Sequence, residues 1–373
     1  VFDADAHVEE SPETFADNYL DPEYRQRRPQ VVLLEGGDPH WVIDQRIYPR
    51  RVGRGAHHFA TPAAFGEVPS ALTATKRNDL GSVTLADVDA RLREMDGDGI
   101  SEQVIFPTLF LGYPLTDDEE YATALCRSYN RWIKDVCDRR PDRLMWVCTV
   151  NPGDIDGAVA EVRRAAADGA VGCMILGTVG DRTLDDRALD PFYAALCDLD
   201  MGLAVHVGWS SPSLSGLYTN VYDALVLPFT VSMFTGFLHI VGGGVLDRFP
   251  QLRVAFFEAG CQWIPYLVER MEHYYDVGVG RGRWPVRAKQ RPLDYARGGH
   301  VYFGFEVDEA LLPHAISLVG EDHFIFASDI PHGDREWDSV TKLNARTDIS
   351  EAAKRKLLDD NGRRFYGARL PRR

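Results

Sequence analysis

The chain has 373 residues, 45% of them hydrophobic, enough for two ordinary domains or for one large α/β barrel. Its 41 Lys and Arg stand against 56 Asp and Glu, a net charge of −15 with no basic block, which argues against nucleic acid and anionic membrane as partners. No run of about 18 apolar residues and no leader pattern is visible, so a soluble, cytoplasmic protein is expected. Six cysteines, Cys126, Cys137, Cys148, Cys173, Cys197 and Cys261, fall singly and without C-x-x-C pairs, as buried reduced thiols do.

The first ten residues, Val1 to Glu10, read as a strand whose alternation puts Asp3, Asp5 and His7 on one face and Phe2, Ala4 and Ala6 on the other. Carboxylate and imidazole two residues apart can grip one cation. A non-repetitive stretch, 11–82, follows; Val31 to Leu34 and Trp41 to Ile43 around Gly36-Gly37 predict a small hairpin inserted as a cover. His57-His58 in this stretch reads as a solvated pair.

From Thr84 the pattern becomes regular. Thr84 is predicted to cap a helix through Met95, with Leu85, Val88, Leu92 and Met95 on one face. A strand 103–106, a helix 117–139 opened by the acidic turn Asp117 to Glu120, a strand 144–150, a helix 155–167 and a strand 171–176 come next. A helix 189–199, a strand 203–207, a helix 228–241, a strand 253–257 and a helix 263–275 continue the alternation. A strand 301–305, a helix 309–318, a strand 324–327 and a helix 350–364 complete it. With the first strand this makes eight strand-then-helix repeats, and the expected fold is a single (β/α)8 TIM barrel over 1–373 with the 11–82 insertion after strand one. An open doubly wound sheet is disfavoured because no glycine lies between Asp3 and Glu10 to form a phosphate loop.

Chemistry in such a barrel sits at the carboxyl ends of the strands. Those ends carry Asp5 and His7, His206, Glu258, and Asp329 with His332 just beyond. Three carboxylates and three histidines in one mouth are costly as bare charges and call for a cation. His239, on the helix before strand six, is either a further ligand or a core histidine satisfied by a carbonyl. His332 is either a ligand or a residue that orients one. His273, His300, His314 and His323 read as surface or structural residues.

These motifs, together with Val205-His206-Val207-Gly208, Gly243 to Leu252, Phe257-Glu258-Ala259-Gly260, Trp263 to Met271, Ala327 to His332 and Asn361 to Tyr366, resemble the amidohydrolase-related family of metal-dependent (β/α)8 barrels. The resemblance implies that Asp5 and His7 take the place of the first-strand ligand pair, His206 that of the fifth-strand ligand and Asp329 that of the eighth-strand carboxylate. Three features depart from that pattern. The pair is Asp-x-His where many relatives have His-x-His, Val171 to Leu176 has no lysine to carbamylate, and Glu258 stands where hydrolytic and decarboxylating members place a proton-handling histidine.

A carboxylate-rich set with Glu258 able to bridge favours a divalent metal site holding two irons, with zinc or manganese as the alternative. Some members of the family that the chain resembles use a di-iron centre to hydroxylate small molecules, and the resemblance together with this donor set implies, as the leading expectation, a nonheme dinuclear-iron monooxygenase acting on a small molecule, with Glu258, Asp329 and His332 taking part in the chemistry. A zinc- or manganese-dependent nonoxidative decarboxylase of an aromatic acid is the alternative, followed by a metal-dependent hydrolase and by a metal-free binding protein on the same fold. A homo-oligomer is expected only by analogy with similar barrels.

Overall fold

A computed structural model describes residues 1–34, 39–57, 79–112, 114–333 and 335–371. Its main sheet takes the strands β1 (Phe2–Val8), β5 (Glu102–Pro107), β6 (Leu144–Thr149), β7 (Gly172–Leu176), β8 (Gly202–His206), β9 (Val254–Phe257), β10 (Val301–Phe305) and β11 (Phe324–Phe326) in that spatial order, each paired in parallel with the next. Every residue of β1 and of β6 through β11 is buried, as strands must be when side chains fill one face and helices cover the other.

The last strand turns back onto the first. The N–H of His7 donates to Ile330 O at 2.7 Å, and the N–H groups of Ser328 and Asp329 donate to Asp5 O at 3.2 and 3.3 Å. The ring of strands is that of a TIM barrel. The C-terminal motif locks this seam: the Tyr366 hydroxyl donates to Ala4 O at 2.7 Å and Asn361 Nδ2 donates to Phe324 O at 2.7 Å. Gly362 is required there, since a Cβ would lie 2.7 Å from the Phe2 ring.

The insertion forms a separate antiparallel sheet of β2 (Gln30–Leu33), β3 (Pro39–Ile43) and β4 (Arg46–Tyr48), one strand more than the predicted hairpin; the Gly36-Gly37 turn lies outside the described residues. Trp41 is buried edge-on against Phe15 at 5.7 Å, and the Tyr48 hydroxyl donates to Leu115 O at 3.0 Å. That bond ties the insertion to the loop after β5, on the side where the strands end.

Two helix predictions are corrected. Thr84 does not start a helix. Its hydroxyl bonds back to Leu80 O at 3.0 Å and ends the short turn Leu80–Val83; Leu85 takes φ 55°, and the helix Val88–Asp98 is capped by Asp87, which accepts from the Ala90 N–H at 3.2 Å. The last predicted helix divides into Glu351–Arg355 and Asn361–Tyr366 around a wider turn, Lys356–Asp360. By contrast Asp118 caps the helix Glu119–Cys137 with Glu119 and Glu120 in its first turn, where negative charge meets the positive end of the helix dipole.

The segment Val221–Gly242 runs 22 residues with mean hydropathy 1.8, long and apolar enough by length and composition to cross a membrane, and 44% of its apolar window is buried. Its buried side, Met233, Phe237, Ile240 and Val241, packs into the barrel core. Gly236 and Gly177 allow that approach: a Cβ on Gly177 would sit 2.0 Å from Ser232 O.

Candidate metal centre

Four side chains from three strand ends converge at the mouth of the barrel. Asp5 and His7 come from β1, His206 is the last residue of β8, and Glu258 follows β9 directly. One ligand-type atom from each lies within 4.8 Å of the other three. His7 Nε2 is 3.4 Å from Asp5 Oδ1 and 3.3 Å from Glu258 Oε2; His206 Nε2 is 3.4 Å from Asp5 Oδ2 and 3.0 Å from Glu258 Oε2.

The backbone fixes which nitrogen faces inward. Nδ1 of His7 is 3.2 Å from Pro107 O and Nδ1 of His206 is 3.0 Å from Val207 O, so in the neutral rings these nitrogens donate and both Nε2 lone pairs are left for the centre. Glu258 sits at φ 63° and Asp329 at φ 52°, left-handed conformations that a non-glycine residue adopts at a cost of about 1 kcal/mol or more. Strain at both positions marks where the fold bends to present side chains.

Five buried atoms of this group, both Asp5 oxygens, His7 Nε2, His206 Nε2 and Glu258 Oε2, have no hydrogen-bond partner among the described residues and point at one another instead. Burial opposes charge on His206, but Asp5 and Glu258 outweigh it and hold its imidazole up to about 10. Burial likewise opposes the Glu258 carboxylate, and His206 and His7 outweigh it, driving Glu258 well below the carboxylate range. Two buried carboxylates thus demand positive charge between them. A divalent cation fits: it matches two carboxylates and two neutral imidazoles in charge, and these are first-row metal donors.

The other candidates are placed differently. Asp329 is buried beside the group with its N–H on Asp5 O. His332 stacks on His7 with ring centroids 4.1 Å apart, while its Nε2 lies 3.1 Å from Thr108 Oγ1. The structure does not bring His239 to the group; its Nδ1 is 3.0 Å from Asp185 Oδ1, on the helix outside the barrel. Asp3 is also apart: its Oδ2 accepts from Gln103 Nε2 at 2.8 Å and from the Ser328 hydroxyl at 2.5 Å, and burial pushes its carboxyl up to about 7 against those bonds. His57 is not simply solvated, since it lies between Tyr48 and Trp209, and His58 is outside the described residues. Among the described residues no second cluster of donors accompanies the first, and the expected two-iron centre finds no support.

Sequence reasoning passed over the residues that hold this group in place. Arg91, fully buried, donates to His7 O at 3.0 Å and to Ser82 O at 2.7 Å. Glu10, also buried, accepts from the Thr108 and Leu109 N–H groups at 3.2 and 2.8 Å. The signal was the acidic pair Glu9-Glu10 directly behind the Asp-x-His, too polar for a strand end without partners.

A profile of the amidohydrolase family matches residues 3–368. Relatives include the gamma-resorcylate decarboxylase of Rhizobium radiobacter, 26% identical over 323 residues, 83% of this chain and 96% of that protein. The 2-amino-3-carboxymuconate-6-semialdehyde decarboxylase of Dictyostelium discoideum is 24% identical over 290 residues, 75% of this chain and 77% of that protein. Among solved structures, amidohydrolase map2389c from Mycobacterium avium subsp. paratuberculosis K-10 superposes with TM-score 0.77 at 24% identity, covering 99% of this chain and 98% of that one. The 5-carboxyvanillate decarboxylase of Novosphingobium aromaticivorans, solved with manganese, gives TM-score 0.67 at 23% identity over 79% and 86% of the two chains. The superpositions speak to the barrel, and the profile, running from the first strand to the C-terminal motif, speaks to descent: this chain belongs to the amidohydrolase family of (β/α)8-barrel enzymes.

Proposed function

We propose that the chain binds one divalent cation, manganese or zinc, through Asp5, His7, His206 and Glu258, and catalyses the nonoxidative decarboxylation of a hydroxylated aromatic acid. The observation that carries this reading is the group of four converging donors, the single such group among the described residues, in a chain whose relatives, matched over most of their length, include several decarboxylases. It takes the place of the dinuclear-iron oxygenase, which needs more donors than converge here.

A divalent cation held by Asp5, His7, His206 and Glu258 would supply Lewis acidity at the mouth of the barrel. The protein supplies the rest. Asp5, His7 and His206 are fully buried, which strengthens the electrostatic interactions they make at the centre. Loss of CO2 from the ring needs one proton at the carbon that carried it. The Asp329 carboxyl, pinned beside the group through its backbone, is the acid we assign to that proton, which solvent then replaces. His332, stacked on His7 and facing Thr108, holds the His7 ring in its orientation. Glu258 stands where the resemblance puts a proton-handling histidine, and the role falls in this reading to Asp329, whose backbone N–H bonds Asp5 O.

The test is a panel of hydroxybenzoates supplied to manganese-loaded protein with and without O2. CO2 release without O2 is the expected result; a product carrying oxygen from labelled O2 would overturn the reading.

A further inference from the structure

A chain of buried polar side chains outside the donor group joins the two ends of the segment that carries Asp329 and His332. At the far end Arg335, its side chain 2% exposed, stacks on Trp337 at 3.9 Å, donates to Glu94 Oε1 at 2.7 Å and lies 3.7 Å from Asp98 Oδ2. Glu94 Oε2 accepts from the Ser82 hydroxyl at 2.5 Å, and Ser82 Oγ accepts in turn from Arg91 Nε at 3.0 Å. Arg91 Nη1 donates to Gln103 Oε1 at 3.0 Å, and Gln103 Nε2 donates to Asp3 Oδ2 at 2.8 Å. Asp3 closes the chain at the near end, where its Oδ1 accepts the Ser328 N–H at 3.0 Å.

Holding this many polar groups away from water is costly unless each is matched, and the course of the chain shows what the matching serves. It meets the first strand at the two candidate ligands: Arg91 Nη2 donates to His7 O at 3.0 Å, and the Asp5 N–H lies 3.4 Å from Asp3 Oδ1. Between its ends the segment 328–335 meets the same residues from the other side, with Ile330 O accepting the His7 N–H and the His332 ring stacked on that of His7. A polar array that only stabilised the barrel could lie under any strand. This one runs from the helix Val88–Asp98 through β5 and β1 to the end of β11, and it fixes both ends of the one segment that carries the assigned acid.

We propose that the chain clamps the segment 328–335 against the donor group, and that Arg335 and Glu94 are positioning residues for Asp329 and His332 although neither belongs to the four donors. The inference rests on the reading of Asp329 as the acid. Hydrogen exchange of the full, manganese-loaded protein, followed by mass spectrometry, tests the clamp without recourse to turnover. Arg335→Met keeps a side chain against Trp337 and loses the bond to Glu94. In that variant, exchange in the peptide with the bonded N–H groups of Ser328, Asp329, Ile330 and His332 is expected to rise about tenfold. The helix Trp263–Tyr275 should exchange as before, with manganese content unchanged, and Arg335→Lys should restore most of the protection. Glu94→Gln, 241 residues away in sequence, should loosen the same peptide, and it carries the test if Arg335→Met does not fold.

Unchanged exchange in that peptide, or a rise shared by the whole chain, would overturn the clamp. Where a hydroxybenzoate is turned over, Arg335→Met and Glu94→Gln should each lower kcat by about 10- to 100-fold with KM within about twofold, the mark of a misplaced reacting group. A loosened peptide with kcat intact would overturn the positioning role. If no acid releases CO2, the decarboxylase reading fails and exchange alone still decides the clamp.

Discussion

Asp5 and Glu258 bring two negative charges to a place from which water is excluded, and the imidazoles between them can answer either by taking up protons or by sharing a metal ion. Elemental analysis decides between these. About one manganese or zinc per chain is expected, and His206→Ala or Glu258→Gln should weaken metal binding by more than about 100-fold, because the hydrogen-bonded neighbours of ligands are by themselves worth about 10- to 100-fold. His239→Ala should leave metal content unchanged and lower stability by roughly 1–3 kcal/mol, since it strips one partner from buried Asp185. Asp329→Asn, with metal still bound, should reduce kcat by roughly 10²- to 10⁴-fold, the usual range for a lost general acid. Asp5, His7, His206 and Glu258 were legible in the sequence because residue types that cannot be buried alone stood at successive strand ends. His239 and Asp3 misled for a common reason: spacing places a side chain on a face but does not reveal a partner such as Asp185 or Ser328 that arrives from elsewhere in the chain.

The elements carrying those candidate ligands are held by contacts that periodicity does not encode. Helix and strand positions followed from apolar runs and caps, and the helices Ile155–Ala167 and Trp263–Tyr275 fall where the pattern puts them. The start at Thr84 failed because a threonine can bond backward as easily as forward, whereas Asp87 had a free N–H three residues ahead. Glu10 joins the end of β1 to the loop after β5, and burial raises its carboxyl to about 8 although two N–H groups oppose that rise. The folded chain therefore keeps this proton up to about pH 8, while the unfolded chain releases it near 4.5. Stability from this group is full below about 4.5 and is lost as pH rises toward 8. Glu10→Gln, which cannot lose a proton, should thus gain on the unaltered chain between pH 5 and pH 8 by roughly 1–3 kcal/mol, read as a widening difference in Tm. A difference independent of pH would show that Glu10 is already ionised in the folded protein. At the contact between β7 and the segment Val221–Gly242, Gly177→Ala should destabilise by about 1–3 kcal/mol or more, since the added methyl meets backbone rather than a movable side chain.

The candidate ligands lie on β1, β8 and β9, strands from the start and the middle of the chain, and a shared cation would tie the barrel seam to its far wall. Eightfold alternation made the barrel itself readable, because each buried strand is a short apolar run that only helices on the outside can cover; the insertion was less readable because its strands are short and half exposed. A tie of this kind has a thermal consequence. A metal held by the folded chain and not by the dispersed side chains of the unfolded one would, at about 100 times its Kd, add about 2.7 kcal/mol. With roughly 2.1 cal/mol/K of unfolding entropy per residue, the 373 residues convert that gain into a rise in Tm of roughly 3–4 °C. Chelation should reverse the rise, and Glu258→Gln should abolish its dependence on metal while keeping a single folded species. If the unaltered chain and Glu258→Gln respond alike to manganese and to chelator, the four side chains do not hold an ion, and the two carboxylates at the barrel mouth are answered by a protonated His206 instead.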